Sequence, residues 1–297
     1  TIGSAGDTDA ISISSSGAVT LNSDFVPATP LSHRNMIYNG AMNIDQRNSG
    51  SAVTISPNAY TLDRWKGLES SSGNYTVQQV ADGPADFKNS LKVTVTTDSG
   101  AYGATDYASI QYAVEGQDMA HLNWGTSDAK TVTLSFWVKS SLTGTFGGAF
   151  ANSAQNPSYP FSYTISSAST WEKKTITVAG STSGTWLTTN ATGCYIFMSL
   201  GQGTTYSGTA GSWTNAVKLG PSSAVQVLDT NGATFQITGM QLELGSVATP
   251  FEHRSYAEEL QRCQRYYQTG GSSGDGARVY LFTVDHSTGY RRGMVFF

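Results

Sequence analysis

Apolar and polar residues alternate in short runs along most of this chain. Leu91, Val93 and Val95 share one parity in SLKVTVT (90–96), as do Ile110, Tyr112 and Val114 in YASIQYAV (107–114) and Val132, Leu134, Phe136 and Val138 in TVTLSFWVK (131–139). A period of two puts each set on one face of a pleated strand. YTVQQV (75–80), PFSYTI (160–165), KKTITV (173–178), CYIFMSL (194–200) and AVQVL (224–228) are further candidate strands, separated by loops of Gly, Ser, Asn and Thr. So many strands with almost no helical periodicity predict two packed sheets rather than a βαβ fold.

The stretch from Phe235 to Gln268 departs from this pattern. Phe235 and Ile237 share one parity, and Met240, Leu242 and Leu244 the other, so the phase slips near Thr238–Gly239, as a glycine-containing β-bulge requires. Pro250 then holds Thr249 extended and forbids an immediate helix. Ser255 is placed to cap a helix, with Glu258 three residues on in capping-box position. Tyr256, Leu260, Cys263 and Tyr267 follow at spacings of four, three and four, one narrow apolar seam over about four turns. Glu258 and Arg262 stand at i,i+4 on the opposite face. A helix of this length is marginal alone, so its seam has to be covered, either by the chain's own sheet or by the same helix of another copy.

Two segments carry a resemblance. GMQLELGSVATPFEHRSYAEELQRCQRYYQ (239–268) is similar to a block found in bacteriophage tail fibres and related virion fibre proteins. RNMIYNGAMNIDQRNSG (34–50) with YTLDRWKG (60–67) resembles the opening of the same proteins. The order of strands through LSFWVKS, STWEKKTITVAG and FQITGMQLEL, with Trp171 at the start of one, looks like jelly-roll carbohydrate-binding modules. The expected fold is all-β: a jelly-roll-like β-sandwich with one C-terminal-side α-helix and a short N-terminal fibre-like β segment. The expected parts are a fibre or linker segment at 1–30, the sandwich at 31–252, and at 253–297 the helix plus the start of a C-terminal β element from RVYLFTV and YRRGMVFF, which stops in mid-strand. The resemblance implies an external virion appendage, a homotrimer in contact with other virion proteins, binding host surface glycans; the alternatives are a virion-associated polysaccharide depolymerase and a purely structural capsid or collar fibre without a glycan site.

Composition narrows the function classes. Only 13% of residues are charged, against about 25% in an average soluble domain. A net charge of −4 offers no basic patch for a phosphate backbone, which argues against nucleic acid. No stretch is long enough for a membrane span. Cys194 and Cys263 both fall in apolar settings and read as buried free thiols. His33, His121, His253 and His286 are scattered without ligand spacing, so no metal site and no cofactor is expected. Asp7 and Asp9 are too few for a cation loop. GGSSG (270–274) fits G-x-S-x-G formally but lies in a loop of low complexity, without the strand and helix a nucleophile elbow needs. In LDRW (62–65) the neighbouring Asp63, Arg64 and Trp65 read as core with a satisfied rim.

Acidic pairs remain for a glycosidase, which needs two carboxylates at a set separation. Asp82/Asp86 and Glu115/Asp118 are nearest in sequence, and solvated turns explain both, so no enzyme is expected. Aromatic faces that stack on sugars, beside Asn, Ser and Thr for their hydroxyls, are better represented. The candidate carbohydrate contacts are Tyr159, Trp186, Tyr206 and Trp213, with Trp124 a weaker fifth; each is equally suited to anchoring its own loop. Tyr256, Leu260, Cys263 and Tyr267 are the candidate oligomer seam.

Overall fold

The computed structural model describes residues 2–4, 7–17, 19–21, 33–55 and 57–269. Near the N-terminus, β1 (Ile2–Ser4), β2 (Asp7–Ile13) and β3 (Val19–Leu21) form a small antiparallel sheet. Ile11 lies opposite Leu21 and Ile13 opposite Val19, the pairing that their alternation implies.

The body is a sandwich of two six-stranded antiparallel sheets. Its strands are β4 (Val53–Ile55), β5 (Asn58–Tyr60), β6 (Trp65–Ser70), β7 (Asn74–Val80), β8 (Ser90–Thr97), β9 (Tyr107–Glu115), β10 (Val132–Ser140), β11 (Gly144–Asn152), β12 (Ser158–Ile165), β13 (Glu172–Val178), β14 (Thr192–Gln202) and β17 (Thr234–Leu244), with β15 (Ser207–Gly208) and β16 (Gly220–Pro221) forming a short parallel bridge. One sheet runs β13-β10-β17-β8-β7-β4 and the other β12-β11-β14-β9-β6-β5. Between them the inward side chains of the inner strands are fully buried, including Leu134 and Phe136 of β10, Phe146 and Phe150 of β11, and Phe235 and Ile237 of β17. Each such side chain contributes about 1.5–3 kcal/mol of burial free energy. The fold is the expected jelly-roll-like sandwich.

Two local readings fail for identifiable reasons. AVQVL is not a strand: Val227–Asp229 form a 3₁₀ turn. Consecutive Val227 and Leu228 are both fully buried, which a strand, alternating its faces, achieves only when covered on both sides. In the other direction, GTFGGAFAN (β11) is a central strand that alternation missed because glycines interrupt it. They are required by close packing: a Cβ at Gly148 would lie 1.8 Å from the Phe197 carbonyl oxygen, and one at Gly147 2.2 Å from that of Phe161. Strands β4 and β5, three residues each, are too short to show alternation.

β17 carries the slip seen in its parity. Ser135 pairs with Gln241 and Trp137 with Thr238, so Gly239 and Met240 together oppose Phe136. Beyond the slip, β17 no longer pairs with β8; residues 35–42 take that place. Met36 N–H donates to Leu242 O at 2.9 Å and Met240 N–H to Gly40 O at 3.0 Å. The fully enclosed Asn35 side chain completes the join, donating to Met240 O and accepting from the Leu242 and Ile37 amides. The Asn39–Gly40 turn belongs to this contact, since a Cβ on Gly40 would meet Met240 O at 2.2 Å. The two segments that resemble fibre proteins therefore form one structural unit.

Two helices lie outside the sheets, α1 (Gly116–Met119) and α2 (Tyr256–Gln264). Ser255 caps α2 by accepting the Glu258 amide at 3.2 Å. The Glu258 carboxylate turns to Arg262 at 2.9 Å instead of back to Ser255, so only half of the capping box forms. The helix is shorter than its spacing predicts because the residues after it are diverted to other partners. Arg265 bonds Glu115, Tyr266 covers the Arg64 guanidinium at 3.5 Å and Tyr267 that of Arg47 at 3.4 Å. Of the four seam residues, Cys263 is buried, Leu260 and Tyr267 are half-buried, and Tyr256 is 63% exposed. The expected C-terminal β element and the GGSSG segment lie outside the described residues.

Candidate functional site

The sheet formed by β13, β10 and β17 turns one face to the core and the other outward. Along β10 the outward positions are Thr133, Ser135, Trp137 and Lys139. Two segments cross this outer face and leave a gap between them. The hairpin between β7 and β8 is held down by Thr238 Oγ1 donating to Asn89 O at 2.7 Å and by Lys139, 2.5 Å from the Asp82 carboxylate. A strap after β17 is fastened by Thr249, whose amide and hydroxyl donate to Glu243 at 2.9 and 2.6 Å, and by the Glu252 amide donating to Gln241 at 2.8 Å. Gln241 and Glu243 have outward parity but lie buried under the strap.

The gap is a groove of about 720 Å³, within the range of small-ligand sites. Ser135, Trp137 and Gly239 form its floor, Ala85, Asp86 and Phe87 of the hairpin one wall, and Ala248 to Phe251 with His253 the other, while Lys173 projects beside Trp137 from the neighbouring strand. Phe87, Phe251 and His253 pack against one another with centroids 4.8–5.3 Å apart. Gly239, at φ +60°, is where Phe87 and Trp137 draw together: a Cβ there would lie 2.7 Å from Phe87 Cζ and 3.1 Å from Trp137 Cδ1. The bulge glycine thus makes room for the groove's deep end.

Charge in the groove is balanced. Asp86 and Lys173 have no ion-pair partner among the described residues. Asp82 does: the Lys139 hydrogen bond, helped by one from Gln236, holds its carboxyl below the ordinary range. The arrangement supplies an indole face, a carboxylate, an ammonium and the Ser135 hydroxyl, the set that binds a ring with one apolar face and hydroxyls at its edge. Alternation alone did not single out Trp137. The available signal was its parity, a large aromatic at a position where the strand pattern calls for a polar residue.

The sequence candidates lie elsewhere. Trp186, Trp213 and Trp124 meet edge to face at 4.7–5.5 Å, with Tyr159 5.2 Å from Trp213. Each indole N–H in this cluster donates to a backbone carbonyl: Trp124 to Lys130, Trp186 to Ser183 and Trp213 to Ala179. Tyr159 and Trp186 are buried, and Trp213 keeps part of its ring in solvent. Tyr206 stands apart, perpendicular to Tyr107 at 5.4 Å, beside a groove of about 390 Å³ on the other sheet.

The acidic pairs have partners of their own. Burial acts to raise Glu115, but hydrogen bonds from Arg265 and Tyr266 outweigh it and hold the carboxyl below the ordinary glutamate value. Burial raises Asp118, which accepts the Tyr38 hydroxyl at 2.8 Å. Both cysteines are free and buried, and burial pushes the Cys263 thiol up to about 12. Among the described residues no His, Cys, Asp and Glu cluster is suited to a metal, and no helix is long and apolar enough to cross a membrane.

No protein-family model matches this chain, and no curated protein does. Solved structures are similar at low identity. The enzymatically active domain of bacteriophage CBA120 tailspike protein 4 aligns at 14% identity over 71% of this chain and 21% of its own, with a TM-score of 0.38. A family 61 carbohydrate-binding module in complex with β-1,4-galactotriose aligns at 10% identity over 71% of this chain and 99% of its own, with a TM-score of 0.35. A family 11 carbohydrate-binding module of a Clostridium thermocellum cellulosomal cellulase aligns at 15% over 68% and 99%, with a TM-score of 0.30. This chain thus spans about a fifth of the tailspike domain's length.

Proposed function

We propose that this protein is a non-catalytic glycan-binding part of a virion fibre, a tail fibre or similar external appendage, acting as a homotrimer alongside other virion proteins to attach to host surface glycans. The observation that carries the binding role is the groove over Gly239, where Trp137 offers an indole face between free polar groups. Support for the fibre role is the resemblance of residues 34–50, 60–67 and 239–268 to virion fibre proteins. A single open groove of this kind binds weakly, and three copies on one rod raise avidity without new contacts. Trp213 and Tyr206, which keep part of their rings in solvent, are assigned secondary contacts, and the outward side of α2 at Tyr256 and Leu260 a place in the association of copies.

The experiment is a glycan array probed with the wild-type protein and with Trp137→Ala. A signal lost in the variant supports the assignment. A blank array at high multivalency, or a signal indifferent to Trp137, removes it.

A further inference from the structure

The shape of the groove bears on which part of a glycan it takes, an inference that rests on the groove being the glycan site. The hairpin wall and the strap wall do not run parallel to open ends. They meet over the β17 side of the sheet, where Phe87 stands 5.0 Å from Phe251 and 5.3 Å from His253. Phe87 also covers Gly239, so floor and walls come together there. From this end the floor runs across Trp137 of β10 to Lys173 of β13, which is the edge strand of its sheet. Nothing in the sheet continues beyond β13. The groove is blind at one end and open at the other, and its floor crosses two interstrand spacings, about 10 Å.

We infer that the groove receives the free end of a glycan chain, its terminal residue lodged against Phe87 and Phe251 and the next residue lying over Trp137, rather than an interior stretch of polysaccharide. A through-running chain would have to pass the point where the Phe87 and Phe251 rings touch. The polar groups agree with this placement: Asp86, without an ion-pair partner among the described residues, stands on the hairpin wall in reach of a terminal residue that carries one more free hydroxyl than an interior one, and Lys173 stands at the mouth where the chain leaves.

The test uses the full chain and a printed array of α-glucan, β-glucan, mannan and galactan oligosaccharides, each as di-, tetra- and hexasaccharide and each attached by either its reducing or its non-reducing end. End recognition predicts a signal from one attachment polarity only, at least about tenfold above the other, and level from tetra- to hexasaccharide. Equal signals from both polarities that keep growing with length would overturn the inference while leaving the groove as the glycan site. A signal insensitive to Trp137→Ala, or none on any sugar, would instead remove the groove assignment and this inference with it. Phe87→Ala, which opens the blind end, is expected to bind both polarities; a variant that folds and keeps the single polarity counts against the proposal.

Discussion

Trp137, half-buried, and Glu115, buried, illustrate how differently two side chains off the main core are used. Trp137 alternates outward from β10 and has no hydrogen bond among the described residues, so Trp137→Ala should cost only about 1 kcal/mol of stability while reducing glycan binding at least about tenfold. Calorimetric titration beside a thermal melt separates the two effects. Glu115 is instead a structural pin for the chain after α2. Its folded pKa lies below the ordinary 4.5, so its contribution is complete above that value and is lost as pH falls through the folded pKa. Asp118 is raised and acts in the opposite sense, disfavouring the folded state as pH rises through its folded value. The expected outcome is that hydrogen-exchange protection at residues 265–267, taken relative to the intrinsic rate at each pH, falls in acid in the wild type, whereas Glu115→Gln is less protected already at neutral pH and shows a smaller acid step. An unchanged acid step in the variant would place the pin elsewhere.

Among the elements, β17 with its two flanking segments decides most of the architecture. Gly239→Ala should destabilise by about 1–2 kcal/mol from the left-handed backbone alone, and should also weaken sugar binding, because the added carbon meets Phe87 and Trp137. Denaturant melts and titration of the same variant read both. Asn35→Ala leaves the Met240 carbonyl and the Leu242 and Ile37 amides without their buried partner, a loss of about 2–3 kcal/mol measurable by urea unfolding. The bulge was legible in the sequence because two signals coincided there, the parity slip and a glycine. The Ser255 cap and the Glu258–Arg262 pair were legible for the same reason, being local. The strap and hairpin that cross the outer face were not, since Gln241, Glu243 and Thr238 read as ordinary solvent-facing residues. Only their partners, Thr249, Glu252 and Asn89, explain why they are buried.

At the scale of the whole molecule, the proposed function depends on association of copies. Light scattering of the purified protein is expected to give three copies, and immobilised glycan should retain the trimer at least about a hundredfold better than a monomeric variant. A stable monomer would remove avidity from the mechanism. The resemblance to fibre proteins was visible as two segments far apart in the chain; their joining through residues 35–42 and β17 was not, because contacts across some 200 positions leave no local pattern.

The amino-acid sequence by itself determined the two-sheet body, the bulge in β17 and the capped helix, since each follows from side-chain parity, glycine or capping chemistry within a few residues. Tertiary structure alone decided where the groove lies and which aromatics line it. That Trp186 and Trp213 pack edge to face with Trp124 was set by folding, and Trp137 was one more strand residue until two loops left its indole uncovered. Burial of an aromatic ring depends on what crosses over it, and that is a property of distant segments rather than of neighbours in the chain.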